Sequence, residues 1–195
     1  MDKKLSDSYW ESRYQKGETG WDIGKISTPL MEYFNTLDNK NLRILIPGCG
    51  NAHEAAYLHS NGFKNVFLLD FAESPLLQFK KNNPSFLKEH LIHQDFFTHQ
   101  GSYDLIIEQT FFCALDPILR TKYVEHMHQL LSQNGKLAGL LFDCQFETEG
   151  PPFGGSKSEY ESTFHPFLRF EKLEPCHNSI SPRSGKELFF IASKL

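Results

Sequence analysis

A chain of 195 residues is long enough to form one domain that buries its own hydrophobic core. Hydrophobic residues make up 39% and charged residues 23%, a balance that excludes an intrinsically disordered chain. The net charge of −4 comes without a lysine- or arginine-rich stripe, which argues against a nucleic-acid partner. No apolar run approaches the ~20 residues that span a membrane, and the polar start of the chain is unlike a signal region.

The four cysteines are widely spaced, and none belongs to a C-x-x-C pair; they are Cys49, Cys113, Cys144 and Cys176. This pattern predicts reduced thiols in a cytoplasmic protein, without a zinc site or a disulfide framework. The nine histidines contain no H-E-x-x-H motif, and we expect no metal.

Short apolar runs alternate with helical patterns from about residue 42 onward. Strands are predicted at 43–46, 66–70, 91–95, 103–107 and 136–142, and helices at 52–60, 74–82 and 116–131. The runs are continuously apolar, as in strands of a parallel sheet that is covered on both faces. Repeated alternation of strand and helix therefore predicts a doubly wound α/β sheet.

Both ends of the chain differ from this alternation. Residues 1–41 precede the first strand and hold both tryptophans, Trp10 and Trp21. Near the other end, a loop is predicted at 150–156, a short helix at 157–164, and two late strands at 168–174 and 188–193. A final hairpin of this kind predicts an antiparallel strand at an edge of the sheet.

Three consecutive strand ends carry residues suited to a nucleoside. Gly48-Cys49-Gly50 follows the first strand, where glycines let the backbone turn tightly and approach a ligand. Asp70 ends the second strand, and a carboxylate there can accept hydrogen bonds from both ribose hydroxyls. Asp95-Phe96-Phe97 ends the third, where a carboxylate can accept from an adenine amino group. Each feature alone could be a plain turn, a helix cap or a loop aspartate, but together they favour adenosine.

The glycine loop differs from that of a dinucleotide site. A third glycine normally lets the helix N-terminus face a pyrophosphate, and here that place falls at His53. Glu54 adds an acidic side chain near the helix start. The sequence therefore favours an adenosine ligand without phosphates over a nicotinamide dinucleotide.

Further motifs extend this pattern along nearly the whole chain. They are Trp10-Glu11-x-x-Tyr14, Thr19-Gly20-Trp21-Asp22-x-Gly24, Pro29, Ile46-Pro47-Gly48-Cys49-Gly50, Asp70, Asp95-Phe96-Phe97 and Tyr103-Asp104-Leu105-Ile106. On these residues the chain resembles the thiopurine S-methyltransferase family. Its halide and thiol methyltransferase branch is similar in three further stretches: Phe111-Phe112-Cys113-Ala114-Leu115, Gly150-Pro151-Pro152 and Ser181-Pro182-Arg183-x-Gly185-Lys186-Glu187.

The resemblance implies a Rossmann-like class I methyltransferase fold, an α/β fold with a seven-stranded, mostly parallel sheet, helices on both faces and an antiparallel last strand. One domain would span 1–195, with 1–41 as a lid over the cofactor and 42–195 as the core. The cofactor would be S-adenosylmethionine, and the acceptor a small nucleophile such as a thiol, thiocyanate or halide. The implied cofactor contacts are Trp10, Tyr14, Trp21, Gly48, Asp70, Asp95, Phe96 and Gln109.

We predict that the acceptor pocket is shaped by Phe111, Phe112, Phe153 and Arg183. The two adjacent phenylalanines could instead be core, and Arg183 a solvated loop residue. Some plant members of the family carry a tryptophan in place of Tyr14 and a tyrosine in place of Phe153. Because a thiolate or halide needs no base at the moment of attack, we assign no catalytic residue.

Two alternatives stay open beside this enzyme. A nicotinamide-dependent oxidoreductase would use the same strand-end aspartate, but this chain lacks the third glycine of the dinucleotide-binding motif. A non-catalytic adenosine-binding module would keep the cofactor loop without an acceptor pocket. In each case we expect a small-molecule partner, no nucleic acid, no membrane and a monomer.

Overall fold

The computed structural model describes residues 5–195, which contain seven strands and six α-helices. The strands are β1 (Ile44–Pro47), β2 (Val66–Asp70), β3 (Leu91–His93), β4 (Tyr103–Gln109), β5 (Leu131–Phe142), β6 (Leu168–Pro175) and β7 (Glu187–Lys194). The helices are α1 (Asp7–Gln15), α2 (Thr28–Asn35), α3 (His53–Ser60), α4 (Glu73–Asn82), α5 (Arg120–Leu130) and α6 (Lys157–Phe164). None of these helices is long and apolar enough to cross a membrane.

All seven strands form one sheet in the order β3-β2-β1-β4-β5-β7-β6. The first five strands run parallel, and β7 is antiparallel to both of its neighbours. This arrangement confirms the predicted α/β class and the antiparallel last strand.

The final hairpin supplies the predicted antiparallel edge strand, which is β6, whereas the last strand, β7, lies between β5 and β6. The reason is composition: β7 buries Leu188, Phe190 and Ala192. By contrast, β6 has only two buried residues and carries four charged ones, Arg169, Glu171, Lys172 and Glu174. Charged strands of this kind suit the edge of a sheet.

Alternate residues of the central strands pack on opposite faces. Leu45 and Ile106 contribute to a core cluster that includes α5 and α6 side chains. Ile44 and Ile46 contribute to a second cluster on the side of α2, α3 and α4. Because both faces are covered by helices, the central strands are apolar throughout, as the sequence predicts.

Several predicted boundaries differ from the structure around α5. Its predicted start at Asp116 is a separate 3-10 turn, Pro117–Leu119, capped by the Asp116 side chain. The fifth strand is predicted to begin at 136, but α5 ends at Leu130 and β5 already begins at Leu131. Tyr103 pairs with Leu131 and Leu105 with Lys136, so residues 132–135 form an irregularity opposite a single residue of β4.

Helix α2 has no counterpart among the predicted elements. Pro29 occupies its first turn, a position that proline favours, and Leu30 and Phe34 pack into the second core cluster. With only eight residues, α2 owes its stability to this packing rather than to helix propensity.

The sheet order places a switch point between β1 and β4. From β1 the chain proceeds outward through β2 and β3, and then returns to β4 on the other side of β1. The loops after these strands therefore diverge at their carboxyl ends and leave a crevice, the usual ligand position in open α/β sheets.

Candidate cofactor and acceptor site

The loop after β1 requires glycine for two separate reasons. Gly48 and Gly50 have φ values of +57° and +51°, a region that other residues rarely adopt. A Cβ atom on Gly48 would also lie 2.3 Å from Cδ2 of Phe111, and one on Gly50 would lie 2.7 Å from the Tyr14 hydroxyl. The loop is therefore held between an aromatic ring from the β4 side and one from α1.

Asp70 ties this loop to the start of α4. Its Oδ2 accepts from the backbone N–H of Gly50 at 2.8 Å, and its Oδ1 from that of Ala72 at 2.9 Å. Burial raises the pKa of the Asp70 carboxyl, while these hydrogen bonds act in the opposite direction. Each oxygen keeps a second lone pair, so the residue can both brace the loop and accept from a ligand hydroxyl.

A cleft that is partly open to solvent lies beside the glycine loop. Trp21, Gly48 and Gln109 are among the residues that line it. The side-chain oxygen Oε1 of Gln109 is buried and has no hydrogen-bond partner. A buried acceptor of this kind is stabilised by a donor from a ligand, and the ammonium group of a methionine moiety has the matching chemistry.

Three polar residues of the same cleft were not among the predicted site residues. Asp22 accepts from Nδ2 of Asn51 and from the N–H of Gly24, and its Oδ1 lies 2.8 Å from Nε2 of His53. Burial opposes ionisation of Asp22, but these hydrogen bonds hold its pKa below the usual value. The family motif around Trp21 contains Asp22 and is the signal that could have found it.

An aromatic cluster covers this part of the cleft. Trp10 and Tyr14 share one face of α1, as their spacing predicts, and both contact Trp21 edge-on, with ring centroids 5.4 and 5.8 Å away. Trp21 lines the cleft, whereas Trp10 contacts Trp21 and is not among the residues that line it. Burial first, and the Asp70 carboxylate second, raise the pKa of Tyr14 far above its ordinary value, so its hydroxyl stays protonated.

At the end of the third strand, the chain forms a short turn, and the Phe96 ring is not exposed to the cleft. Oδ1 of Asp95 accepts from the N–H of Phe97 at 2.9 Å and caps the 3-10 turn Phe96–Thr98. The Phe96 ring is only 4% exposed and packs on Phe111 at 5.1 Å. Phe96 therefore packs behind the surface, against Phe111, and the half-buried Asp95 carboxylate is the group of this turn that can accept further hydrogen bonds.

The two predicted acceptor phenylalanines have different environments. Phe111 is half-buried against the glycine loop, whereas Phe112 is 1% exposed and packs among Tyr123, Tyr160 and Phe164. Phe112 thus lies in the core, as the alternative interpretation of the sequence allowed.

Glu108, which the sequence did not single out, positions both rings. Its Oε1 accepts from the N–H groups of Phe111 and Phe112 at 2.7 and 2.9 Å, and burial raises the pKa of its carboxyl to about 7. No sequence signal distinguishes Glu108 from an ordinary strand residue.

Arg183 lies under the N-terminal segment. Its side chain is 12% exposed, Nη2 donates to the carbonyl oxygen of Trp21 at 2.7 Å, and Nη1 lies 3.4 Å from Oε1 of Glu187. The alternative of a solvated loop arginine is therefore wrong.

Phe153 is half-buried, and its N–H donates to the carbonyl of Cys113 at 2.7 Å.

No group of three or more His, Cys, Asp or Glu side chains in residues 5–195 is arranged to hold a metal ion. The chemistry of the cleft is instead that of backbone amides, carboxylates and aromatic rings around a glycine loop.

This fold is the Rossmann-like fold of class I methyltransferases. The methyltransferase from Burkholderia thailandensis that carries 1,6-didemethyltoxoflavin and S-adenosylhomocysteine superposes with a TM-score of 0.75 at 17% identity, covering 96% of this chain and 86% of that one. Magnesium protoporphyrin IX methyltransferase from Synechocystis with bound S-adenosylhomocysteine gives a TM-score of 0.76 at 13% identity, with both chains fully covered. At these identities the similarity shows the fold.

The chain belongs to the thiopurine S-methyltransferase family, whose model matches residues 5–189. It is 32% identical over 189 residues to a probable thiol methyltransferase 2 of Arabidopsis thaliana, covering 93% of this chain and 83% of that protein. It is 31% identical over 196 residues to thiocyanate methyltransferase 1 of Brassica oleracea, covering 96% and 85%. The protein is therefore an S-adenosylmethionine-dependent methyltransferase, and the predicted family, fold, cofactor and enzyme class are confirmed.

Proposed function

We propose that this enzyme methylates a small thiol, thiocyanate or halide. The observation that carries the proposal is the guanidinium group of Arg183, which lies largely buried beside Trp21 and at 5.7 Å from the ring of Phe142. Its Nη1 lies 3.4 Å from Oε1 of Glu187, and the remaining N–H donors of this weakly hydrated guanidinium suit a soft anion. The thiol and thiocyanate methyltransferases among its relatives support the same acceptor class.

We assign the cofactor contacts to the residues around the glycine loop. In this assignment the Gly48 backbone and Gln109 hold the methionine portion, Asp70 the ribose, and Asp95 with the Phe96 turn the adenine. The buried, unpartnered oxygen of Gln109 and the free lone pairs of Asp70 support it.

The aromatic residues Trp10, Tyr14 and Trp21 would lie beside the sulfonium. Aromatic faces attract a nearby cation. Because burial raises the pKa of Tyr14, its ring would face the sulfonium as a neutral phenol at neutral pH. The range 1–41 would serve as the lid over this site, and its first four residues lie outside the described part of the chain.

S-adenosylmethionine supplies a methyl carbon that already bears a sulfonium leaving group. The chain's own residues need to orient the acceptor and exclude water, and good alignment alone contributes up to roughly 7–11 kcal/mol. Arg183 would attract the anion, while Phe111 and Phe153 would form the apolar wall beside it. Thiocyanate and halides have no proton to lose, and a thiol would enter the site as the thiolate after releasing its proton to solvent, so the proposed reaction requires no general base.

The acceptor assignment is tested by following S-adenosylhomocysteine release with thiols, thiocyanate and iodide. We expect turnover with at least one of them, and a KM for thiocyanate about tenfold higher in Arg183→Ala, because a charged contact is lost. Arg169→Ala on the edge strand β6 is the matched control. An unchanged KM for the anions in Arg183→Ala would reject the role of Arg183, and no turnover by a protein that binds S-adenosylhomocysteine would reject the acceptor class.

We also propose that the enzyme is a cytoplasmic monomer. The four cysteines are free thiols, and two of them, Cys113 and Cys176, are buried, which suits a reducing compartment. Sedimentation equilibrium of the purified protein tests the monomer, and a molar mass twice that of the chain would reject it.

A further inference from the structure

Helix α1 carries two of the proposed lid aromatics, Trp10 and Tyr14, which are half-buried against Trp21, but no residue of the helix is fully buried. Apart from this aromatic face, α1 has no apolar stripe that packs on the sheet domain. Further contacts therefore help to hold α1 where Tyr14 reaches the glycine loop.

Glu11, between those aromatics in sequence, makes such contacts with the first turn of α4. Its Oε2 accepts from the backbone N–H groups of Glu73 and Ser74 at 3.0 and 3.1 Å, and its Oε1 accepts from the Ser74 hydroxyl. Gln15 donates a further hydrogen bond to Oε1 at 2.8 Å. The hydrogen bond from the Ser74 side chain, the largest influence, lowers the pKa of Glu11, so the carboxylate is charged at neutral pH.

The first turn of α4 lacks a cap of its own. Its N-cap residue is Ala72, which has no side-chain acceptor, and the first backbone N–H groups of a helix need one. Glu11 therefore supplies from α1 the acceptor that α4 lacks, and its negative charge is favourable at the positive end of the helix.

The capped turn is also part of the proposed ribose site. Asp70 accepts from the N–H of Ala72, only two residues before the N–H of Ser74 that Glu11 binds. The three-residue stretch 72–74 thus connects a cofactor carboxylate to the helix that carries the lid aromatics.

We propose that Glu11 is a positioning residue of this methyltransferase: it docks α1 by capping α4 and thereby sets the affinity for the cofactor. The inference rests on the proposed cofactor placement. It assigns Glu11 no contact with the reacting atoms.

The chain contains its own reporter for this docking. Its only two tryptophans, Trp10 and Trp21, both belong to the N-terminal segment, and they contact each other edge-on. Tryptophan fluorescence and its quenching by acrylamide therefore report on the lid and not on the sheet.

The test substitutes Glu11→Gln, which keeps the size of the side chain but removes its charge and replaces one of its two acceptor oxygens by an amide NH2 group. We expect the Kd for S-adenosylhomocysteine and the KM for S-adenosylmethionine to rise about tenfold, since hydrogen bonds to a charged group are lost. The kcat at saturating cofactor should stay within about twofold, since no reacting atom is touched. Acrylamide quenching should increase, and Glu125→Gln on the exposed side of α5 should change none of these values.

Ser74→Ala provides the second arm, because it removes only the hydroxyl donor and leaves the α4 backbone intact. If the two residues act together, the double variant will lose less affinity than the sum of the single variants. Wild-type affinity and quenching in Glu11→Gln would overturn the inference, as would additive effects in the cycle. Failure of the wild-type protein to bind S-adenosylhomocysteine would instead overturn the proposed function.

Discussion

Tyr123 donates its phenolic hydrogen to Oε2 of Glu108 across 2.5 Å, in a position where neither residue has exposed surface. The other oxygen of the same carboxylate holds the backbone of Phe111 and Phe112. One buried acid therefore fixes the loop that faces the glycine turn, and its protonation state matters for both stability and site geometry.

Stability should depend on pH through Glu108. Burial raises its pKa from 4.5 to about 7 in the folded protein, so the folded state holds this proton more tightly than the unfolded state. Its favourable contribution is complete below pH 4.5 and is lost as pH rises through 7. Between pH 5 and pH 8, Glu108→Gln should gain stability relative to wild type, by up to about 3 kcal/mol. Urea denaturation at both pH values measures this, and parallel curves for the two proteins would contradict it.

Glycine substitutions should separate backbone strain from close packing. Gly48→Ala introduces both a left-handed φ and an atom 2.3 Å from Phe111, whereas Gly62→Ala, at φ +86°, meets nothing within 4 Å. We expect about 1 kcal/mol of destabilisation for Gly62→Ala with unchanged cofactor affinity. Gly48→Ala should destabilise more and also weaken S-adenosylhomocysteine binding. Calorimetric titration with equal Kd values for the two variants would argue against a ligand role for this loop.

Asp70→Asn should reduce cofactor affinity at least tenfold, because its amide NH2 group would face the Gly50 N–H in place of an acceptor. Asp116→Asn is a suitable control, since Asp116 makes a comparable side-chain contact with the N–H of Ile118. Isothermal titration with S-adenosylhomocysteine measures the difference. Equal affinities in the two variants would remove Asp70 from the proposed ribose site.

The neighbouring phenylalanines should respond differently to truncation. Phe112→Ala removes a ring that is 1% exposed, and we expect a loss of about 3–5 kcal/mol in the free energy of unfolding. Phe111→Ala should destabilise less but raise the acceptor KM or lower kcat. Denaturation and steady-state kinetics on both variants test this, and a kinetic defect confined to a folded Phe112→Ala protein would reverse the assignment.

The strand ends were predictable because the chemistry is local to them. The apolar runs before Gly48 and Asp70 predict parallel strands, and a parallel sheet brings its carboxyl ends to one edge. Family motifs around Trp10 and Trp21 added the aromatic cluster. The helix α2 and the start of β5 were not predictable in this way, since packing of Phe34 and pairing of Leu131 with Tyr103 decide them.

The periodicity of the chain and its motifs of adjacent residues were enough to predict the family, the α/β class and the residues at the three strand ends. The contacts between side chains from distant segments became known only from the folded chain. Glu11 and Ser74 are 63 positions apart, and Arg183 reaches the carbonyl of Trp21 across 162 positions. Such contacts depend on how whole helices and loops pack against the sheet, and no local pattern encodes that packing.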